Sequence, residues 1–548
     1  MRGGGGPTHE VTNQPPPLEG YNLFDQDRSL VEAVEREGAA WAEPDLSALG
    51  KLAGEPEMLH WGTLANEHPP VLRTHDRYGN RIDEVEFHPA WHSLMQVAVE
   101  HGVHAMPWRE PRSGAHAARG AMMILGAQVE AGHGCPISMT YAAVPALRAE
   151  PELAAEWEPR LISLDYDPRL APPQDKAGAL CGMAMTEKQG GSDVRANTTR
   201  AEPLSDGAYA LTGHKWFCSA PMCDAFLVLA QTPGGLTCFL LPRVLPDGAR
   251  NGFHIQRLKD KLGNRSNASS EVELAGAWAR RVGEEGRGVQ TIIQMVNHTR
   301  LDCVLGSTGL IRRAVAEATH HSAHRSAFGK LLIDQPLMQN VLADLCVESE
   351  ASTALAMRLA RAVDEGSTDE EAALFRRLAL AVGKFHVCKT AVGLVAEALE
   401  CFGGNGYVEE SGMPRLYRET PLSSIWEGSG NVNALDVLRA AGKDPRTLDA
   451  YLNEVELARG ADPRLDSFVD DLKDEVRDPT EVETRARRLT ERLAMALQGS
   501  ILVRHAPNAV ADAFCGSRLA GDGGRSYGTL PARLDFTGII DRHRPRLD

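Results

Sequence analysis

At 548 residues with a formal charge of −16, the chain is too long for one core and too acidic for wholesale nucleic-acid binding. Its 43% hydrophobic content suits packed domains, and no apolar run approaches the roughly 20 residues that a membrane span requires. The ten cysteines form no CxxC pair, and the opening MRGGGGPTHEVTNQPPP lacks an apolar signal core, so a reduced, cytoplasmic protein without disulfides or zinc is expected.

Residues 1–18 are rich in Gly and Pro and read as a loose arm. From Leu30 to about Leu147 the pattern is mostly helical, broken by turn signals at HPP (68–70) and RYGN (77–80). Arg119 to Glu130 reads as a buried helix. From Cys181 to about Val282, short apolar runs such as AYALTGHKWFCS, DAFLVLAQT and LTCFLLPR alternate with turn residues. That spacing predicts an antiparallel sheet or small barrel. Helical periodicity returns near Gly288. Leu374, Leu378, Val382, Phe385, Cys388, Val392, Val395 and Leu399 trace one apolar face of a long helix, stopped by GGNGY at 403–407. A further helical segment, Ala434 to Ala441, ends at Gly442. The expected fold is multidomain α+β: an N-terminal arm and helical domain (1–180), a central antiparallel β-domain (181–282), a helical bundle (283–442) and an extra C-terminal helical module (443–548).

Charge divides that last module. Residues 445–483 hold 12 acids and 5 bases, whereas 484–548 hold 11 bases, all Arg, and 6 acids. Such asymmetry can mark a segment with its own partner. The run RARRLTER at 485–492 is ordinarily a solvated helix face; its setting also makes Arg485, Arg487, Arg488 and Arg492 the candidate contacts for double-stranded DNA.

Four local patterns could carry chemistry. MTEKQGGSDV (185–194) brings backbone and hydroxyl groups close to a planar or phosphorylated ligand. HKWFCS (214–219) offers aromatics beside a hydroxyl, RSAFG (325–329) a fixed cation, and IWEGSGN (425–431) a carboxylate between Trp and Gly. An apolar wall beside that carboxylate would raise its pKa and suit it to take a proton. Alone, each has a plainer reading: a surface turn, an ordinary strand, an exposed helix-end Arg, a solvated turn Glu. His320, His321 and His324 have metal-like spacing without a carboxylate to complete a site. They read as a solvated face, as do His88 and His92, and no metal is expected.

In this order and at these distances, the four patterns and GGNGY resemble the acyl-CoA dehydrogenase family. The resemblance runs from about residue 180 to 442. NQPPPL (13–18), FHPAWH (87–92) and LKDKLGNRSNAS (258–269) extend it over nearly the whole chain, towards the family's alkylation-response flavoproteins. It implies bound FAD. Met185, Thr186, Gly191 and Ser192 would meet the flavin ring and pyrophosphate, and Phe217 and Ser219 the ring. Arg325 and Phe328 would hold the adenine half of a cofactor shared with a neighbouring subunit, in a homotetramer. Gly403 and Gly404 would lie near the pyrophosphate, and Ser429 and Asn431 against FAD. Glu427 matches the catalytic base and Arg300 an Arg beside it, at the substrate.

The resemblance also exposes departures. Glu400 stands where a Gln is usual, Pro336 replaces another Gln, and Asn297 replaces an Asp that helps hold the thioester cofactor in some relatives. These bear on acyl-CoA binding more than on FAD. The expected function is therefore specialised or weak acyl-CoA dehydrogenation with a role in protecting DNA from alkylation. An ordinary metabolic acyl-CoA dehydrogenase and a DNA-binding protein with structural FAD are the alternatives.

Overall fold

The computed structural model describes residues 8–547. Eight helices lead: α1 Arg28–Arg36, α2 Glu43–Gly54, α3 Pro56–Glu67, α4 Pro89–Glu100, α5 Met106–Arg109, α6 Ala115–Val129, α7 Gly134–Leu147 and α8 Pro151–Leu161. Between α3 and α4 lies a hairpin that helical periodicity did not predict, β1 Val71–His75 with β2 Arg81–Glu86. Its strands bury almost nothing, so no apolar alternation betrays them. The turn signal was present: Asp76 accepts from the Tyr78 and Asn80 amides at 2.8 and 2.9 Å.

The central domain holds β3 Cys181–Ala184, β4 Arg200–Pro203, β5 Tyr209–Ser219, β6 Ala225–Thr232, β7 Gly235–Pro242, β8 Phe253–Leu258 and β9 Ser269–Val282. Strand β7 pairs with both β9 and β6, so the sheet closes on itself through β6, β4, β5 and β9. It is not wholly antiparallel. β3 runs parallel to β6, with Cys181 opposite Ala225. Both strands are buried throughout their paired stretch, as a parallel pair covered on both faces should be.

Then come α9 Gly288–His324, the short β10 Ser326–Ala327 and β11 Lys330–Leu331, α10 Pro336–Glu365, α11 Glu370–Glu400, α12 Met413–Ser423 and α13 Gly430–Lys443. Helix α11 is long and apolar enough to cross a bilayer, but its apolar stripe is spent inside the bundle. Two cores result. One joins the barrel to α7, α8 and the first turns of α9, through Ile292, Met295 and Val296. The other begins on the same helix at Leu301, Val304 and Leu305 and runs through the bundle into the C-terminal module. The seam between them falls at Thr299 and Arg300.

The last module is α14 Arg446–Glu456, α15 Pro463–Arg477, α16 Val482–His505, α17 Asn508–Phe514 and α18 Phe536–His543. Its divided charge is largely compensated within the chain. Arg485, Arg488 and Arg492 on α16 all reach Glu475 on α15, at 3.9, 3.0 and 3.0 Å. Arg542 pairs with Glu350 of α10 and with Glu32 of α1, and His543 meets Glu350 at 2.9 Å. The RARRLTER run is thus not simply a solvated face, and most of its cations are already matched.

Two further expectations are overturned. The described part of the N-terminal arm is not loose: Leu18 is buried, and Asn13 and Pro16 are bonded to Ser326 and His320. His320 and His321 are not solvated either, at 2% and 5% exposure. His320 Nε2 bonds to the Pro16 carbonyl at 2.9 Å, and His321 stacks on Phe402 at 4.2 Å between ring centroids. Docking of the arm covers a helix face that would otherwise meet water.

Candidate active site

Glu427 sits on the turn between α12 and α13, against the seam of the two cores. Its backbone is left-handed, with φ +54°, a region that costs a non-Gly residue energy and persists only where surroundings enforce it. The enforcement is visible. Arg300 Nε donates to the Glu427 carbonyl at 3.0 Å. Lys384, buried on α11, donates to the carbonyls of Trp426 and Gly428 at 2.7 and 2.6 Å. Asn433 adds a bond to the Gly428 carbonyl at 2.6 Å. Gly428, at φ +97°, has a backbone that disfavours any side chain, and a Cβ there would crowd Val432 and Asn433 at 3.1 and 3.2 Å. The turn thus accounts for the glycine, while Glu427 is held in it at a cost.

The carboxylate has one direct partner. Thr299 donates its hydroxyl to Glu427 Oε2 at 2.7 Å. Burial pushes the Glu427 pKa above the ordinary glutamate value, while Thr299, Arg300 and Lys384 pull it back. A nearby wall is the α6–α7 link. Its Gly132 packs on Ser266 and Asn267, and the thiol of Cys135, in the first turn of α7, is pushed up to about 11 by burial. Ser219 ends β5 and is half-buried.

Arg300 braces the same turn. Its Nε bonds to the Glu427 carbonyl and its Nη1, at 2.9 Å, to Asp436, which Arg377 also holds at 2.8 Å.

The segments expected to meet the flavin are organised by a buried ion pair. Glu187 accepts from Lys215 Nζ at 3.0 Å and from both the amide and hydroxyl of Thr198 and Thr199. Burial alone would raise this carboxyl, but Lys215 and those donors hold it well below the usual range. The pair ties the TEKQGGSD loop to β5, and the Trp216 amide donates to the Thr186 carbonyl at 2.9 Å. Gly191 lies against Thr186, where a Cβ would come within 2.4 Å of its hydroxyl. Met185 and Thr186 are half-buried, while Gly191, Ser192 and Phe217 are exposed beside them. Phe217 is 55% exposed, with Lys259 Nζ 4.4 Å from its ring centre.

The adenine-side residues are less enclosed. RSAFG is not helical: Arg325 caps α9 in an extended conformation, and Phe328 and Gly329, at φ +53° and +79°, form the two-residue turn of the β10–β11 hairpin. Phe328 is fully exposed. Gly403 and Gly404 have nothing within 4 Å of a would-be Cβ, leaving open space at the end of α11. Ser429 precedes α13 and its carbonyl accepts from Asn433 at 3.1 Å, while Asn431 is exposed and accepts from Arg487 at 3.2 Å. An exposed aromatic beside a hydroxyl-bearing loop, a fixed guanidinium and a bare glycine turn together fit a long, planar, phosphorylated cofactor.

Sequence reasoning missed Thr299, Lys384, Asn433 and Asp436. Lys384 carried a signal, since a lysine inside the apolar stripe Leu378–Val382–Phe385–Cys388 must find a buried acceptor. Thr299 had only its place beside Arg300.

Helical domain, closed barrel and helical bundle, with a carboxylate on a strained turn where the two cores meet, define an acyl-CoA dehydrogenase, and the chain belongs to that family. Residues 182–277 match the acyl-CoA dehydrogenase middle domain and 286–442 its C-terminal domain, while 13–168 match the N-terminal domain of the adaptive response protein AidB. The chain is 49% identical to AidB of Escherichia coli (strain K12) over 519 residues, 94% of this chain and 95% of that protein. Acyl-CoA dehydrogenase family member 11 of Caenorhabditis elegans is 32% identical over 88% of this chain and 83% of its own. The crystal structure of Caenorhabditis elegans ACDH-11 in complex with C11-CoA superposes with a TM-score of 0.86 at 30% identity, covering 93% of this chain and 94% of that one. The protein is accordingly an FAD-dependent oxidoreductase.

Proposed function

We propose that the protein dehydrogenates an acyl-CoA thioester across its α and β carbons, with Glu427 as the base. One observation carries this reading: a carboxylate on an enforced turn, raised in pKa by burial and reached by a single hydroxyl donor. Glu427 would take the α-proton at a free carboxylate oxygen while Thr299 fixes the other. Arg300, Lys384 and Asn433 hold the turn so that the oxygen need not reorganise. The chemistry supplied by bound FAD is acceptance of the hydride from the β-carbon. The C11-CoA complex of the Caenorhabditis elegans protein supports a thioester as the substrate class. Of the three departures, Glu400 is exposed and Pro336 opens α10, while Asn297 shares α9 with Thr299, the partner of the base. Anaerobic titration of the yellow holoprotein with a panel of acyl-CoAs should bleach the flavin absorbance for at least one chain length. No bleaching by any thioester would overturn the proposal.

The working form is proposed to be a homotetramer. Phe328, Leu337, Tyr407 and Ile425 are 100%, 84%, 86% and 62% exposed, on or beside segments that FAD contacts in this reading. A second subunit would cover them.

Duplex DNA is a second reading, favoured by one observation: Arg487 and Arg488 remain exposed on α16. Because Glu475 already shares Arg485, Arg488 and Arg492, few counterions would be released. Each neutralised phosphate adds about 0.9 to the slope of log affinity against log salt, so a shallow slope of about 2 is expected. Binding to a labelled duplex across a salt series, for wild type beside Arg487→Glu, tests it. Absence of binding at low salt removes the role in DNA protection.

A further inference from the structure

The N-terminal arm lies antiparallel to the C-terminal half of α9 and is fastened to it at successive points. Arg313 Nη2 donates to the Leu18 carbonyl at 3.2 Å, and His320 Nε2 meets the Pro16 carbonyl at 2.9 Å. The third point lies just past the helix end. The Asn13 side chain accepts from the Ser326 amide at 2.7 Å and donates to the Ser326 carbonyl at 2.9 Å. The Asn13 carbonyl accepts from Arg325 Nη1. Asn13 thus pairs with the β10–β11 hairpin as an added strand residue would, and it grips the guanidinium from the same position.

Three features show that this contact is built. Asn13 is left-handed, at φ +58°, a conformation that Asn tolerates better than most residues. Pro15, Pro16 and Pro17 follow it, and three prolines restrict the unbound arm towards an extended form, reducing the entropy lost on docking. Leu18 and Tyr21 then bury the far end. With α3, α6, α9 and α12, the arm also walls a cavity of about 610 Å³.

We propose that Asn13 is a positioning residue for the cofactor: it sets the Arg325 guanidinium and the Phe328 turn in the geometry that receives the adenine half of FAD. Arg325 has no carboxylate partner within ion-pair distance among the described residues, so its charge stays available while its direction is fixed by a neutral carbonyl. A salt bridge would have directed it at the cost of that charge. The inference rests on the reading of Arg325 as an FAD residue, and the experiment separates the two.

FAD release from diluted holoprotein, followed by recovery of flavin fluorescence, is measured for wild type, Asn13→Gly, Arg325→Ala and the double variant. Glycine keeps the left-handed backbone and deletes only the side chain. Asn13→Gly should accelerate release about tenfold, the scale of one or two hydrogen bonds. Asn13→Asp, which keeps the acceptor for the Ser326 amide, should recover part of that loss. The double variant should release FAD no faster than Arg325→Ala, because Asn13 acts through Arg325. Val11→Ala, in an exposed part of the arm, should match wild type. If Arg325→Ala retains FAD normally, the assignment of Arg325 fails and this proposal with it. If Arg325→Ala loses FAD while Asn13→Gly does not, or if the two losses add, the positioning role is overturned and the assignment stands. Should Asn13→Gly not fold, the Asn13→Asp pair with Arg325→Ala reads the same cycle.

Discussion

The Glu427 turn and the Phe328 turn put non-glycine residues at nearly the same left-handed φ, +54° and +53°, yet they are stabilised in opposite ways. Around Glu427 the backbone carbonyls are taken by side chains from α9, α11 and α13, two of them the buried cations Arg300 and Lys384. Around Phe328 there is a two-residue hairpin, an exposed ring and a clasp from the N-terminal arm. In our reading the proton-transfer half of the site is finished inside one chain, whereas the adenine half is presented at the surface, to be completed by cofactor and by a second subunit. The interior turn is held by packed side chains; the surface turn is set by its hairpin and clasped by the arm.

That contrast predicts where function and stability separate. Glu427→Gln keeps the shape of the turn and all its carbonyl contacts, so the flavin should remain bound. Loss of a general base should lower dehydrogenation by about 10²–10⁴-fold. Full turnover in this variant, measured as the rate of flavin bleaching by a reactive acyl-CoA, would move the base elsewhere.

Lys384→Met tests the interior struts. It leaves the Trp426 carbonyl without its donor and the Gly428 carbonyl with only Asn433. An unpaired buried acceptor costs about 1–3 kcal/mol, so chemical denaturation should show a loss of that size together with reduced turnover. FAD release should change less than turnover, since among the residues read as FAD contacts only Ser429 and Asn431 follow this turn. A stable, active Lys384→Met would mean that the turn does not depend on this strut.

How much of this was legible beforehand follows the same divide. The long apolar stripe of α11, the strand runs at 226–230 and 238–242 and the Glu-Gly turn follow from periodicity and local chemistry. What was hidden depends on partners in other elements or on surfaces without a buried face. The arm reads as loose because Gly and Pro give no periodicity, while its anchors lie some 300 residues away at Arg313, His320 and Ser326. His320 reads as solvated because its cover is that arm, and His321 because it stacks on Phe402, some 80 residues on. The Arg cluster at 485–492 reads as a binding face because its counter-charge, Glu475, sits on another helix. The β1–β2 hairpin escaped because neither strand has a buried face.

The smallest predicted effect concerns Thr299, and its sign can be worked through. The Thr299 hydroxyl donates to the Glu427 carboxylate and so favours the ionised form; burial opposes ionisation and prevails, leaving the pKa raised. Only the ionised carboxylate can accept the α-proton, so kcat/KM should rise with pH through an acid limb above the roughly 4.3 of an ordinary glutamate. Thr299→Val preserves the shape and removes the donor. The limb should then shift upward, by about one pH unit for a lost hydrogen bond worth about 1.4 kcal/mol. The rate on the alkaline plateau should change little, because the base is ionised there in both proteins. Stability should follow the same linkage. A carboxyl whose folded pKa is raised binds its proton more tightly in the folded state, so its contribution to stability declines as pH rises from the unfolded pKa through the folded one. Thr299→Val should steepen that decline. A limb that stays in place when the hydroxyl is removed would show that burial and the cations Arg300 and Lys384 alone set the base, and the interior half of the comparison would then rest on its struts without Thr299.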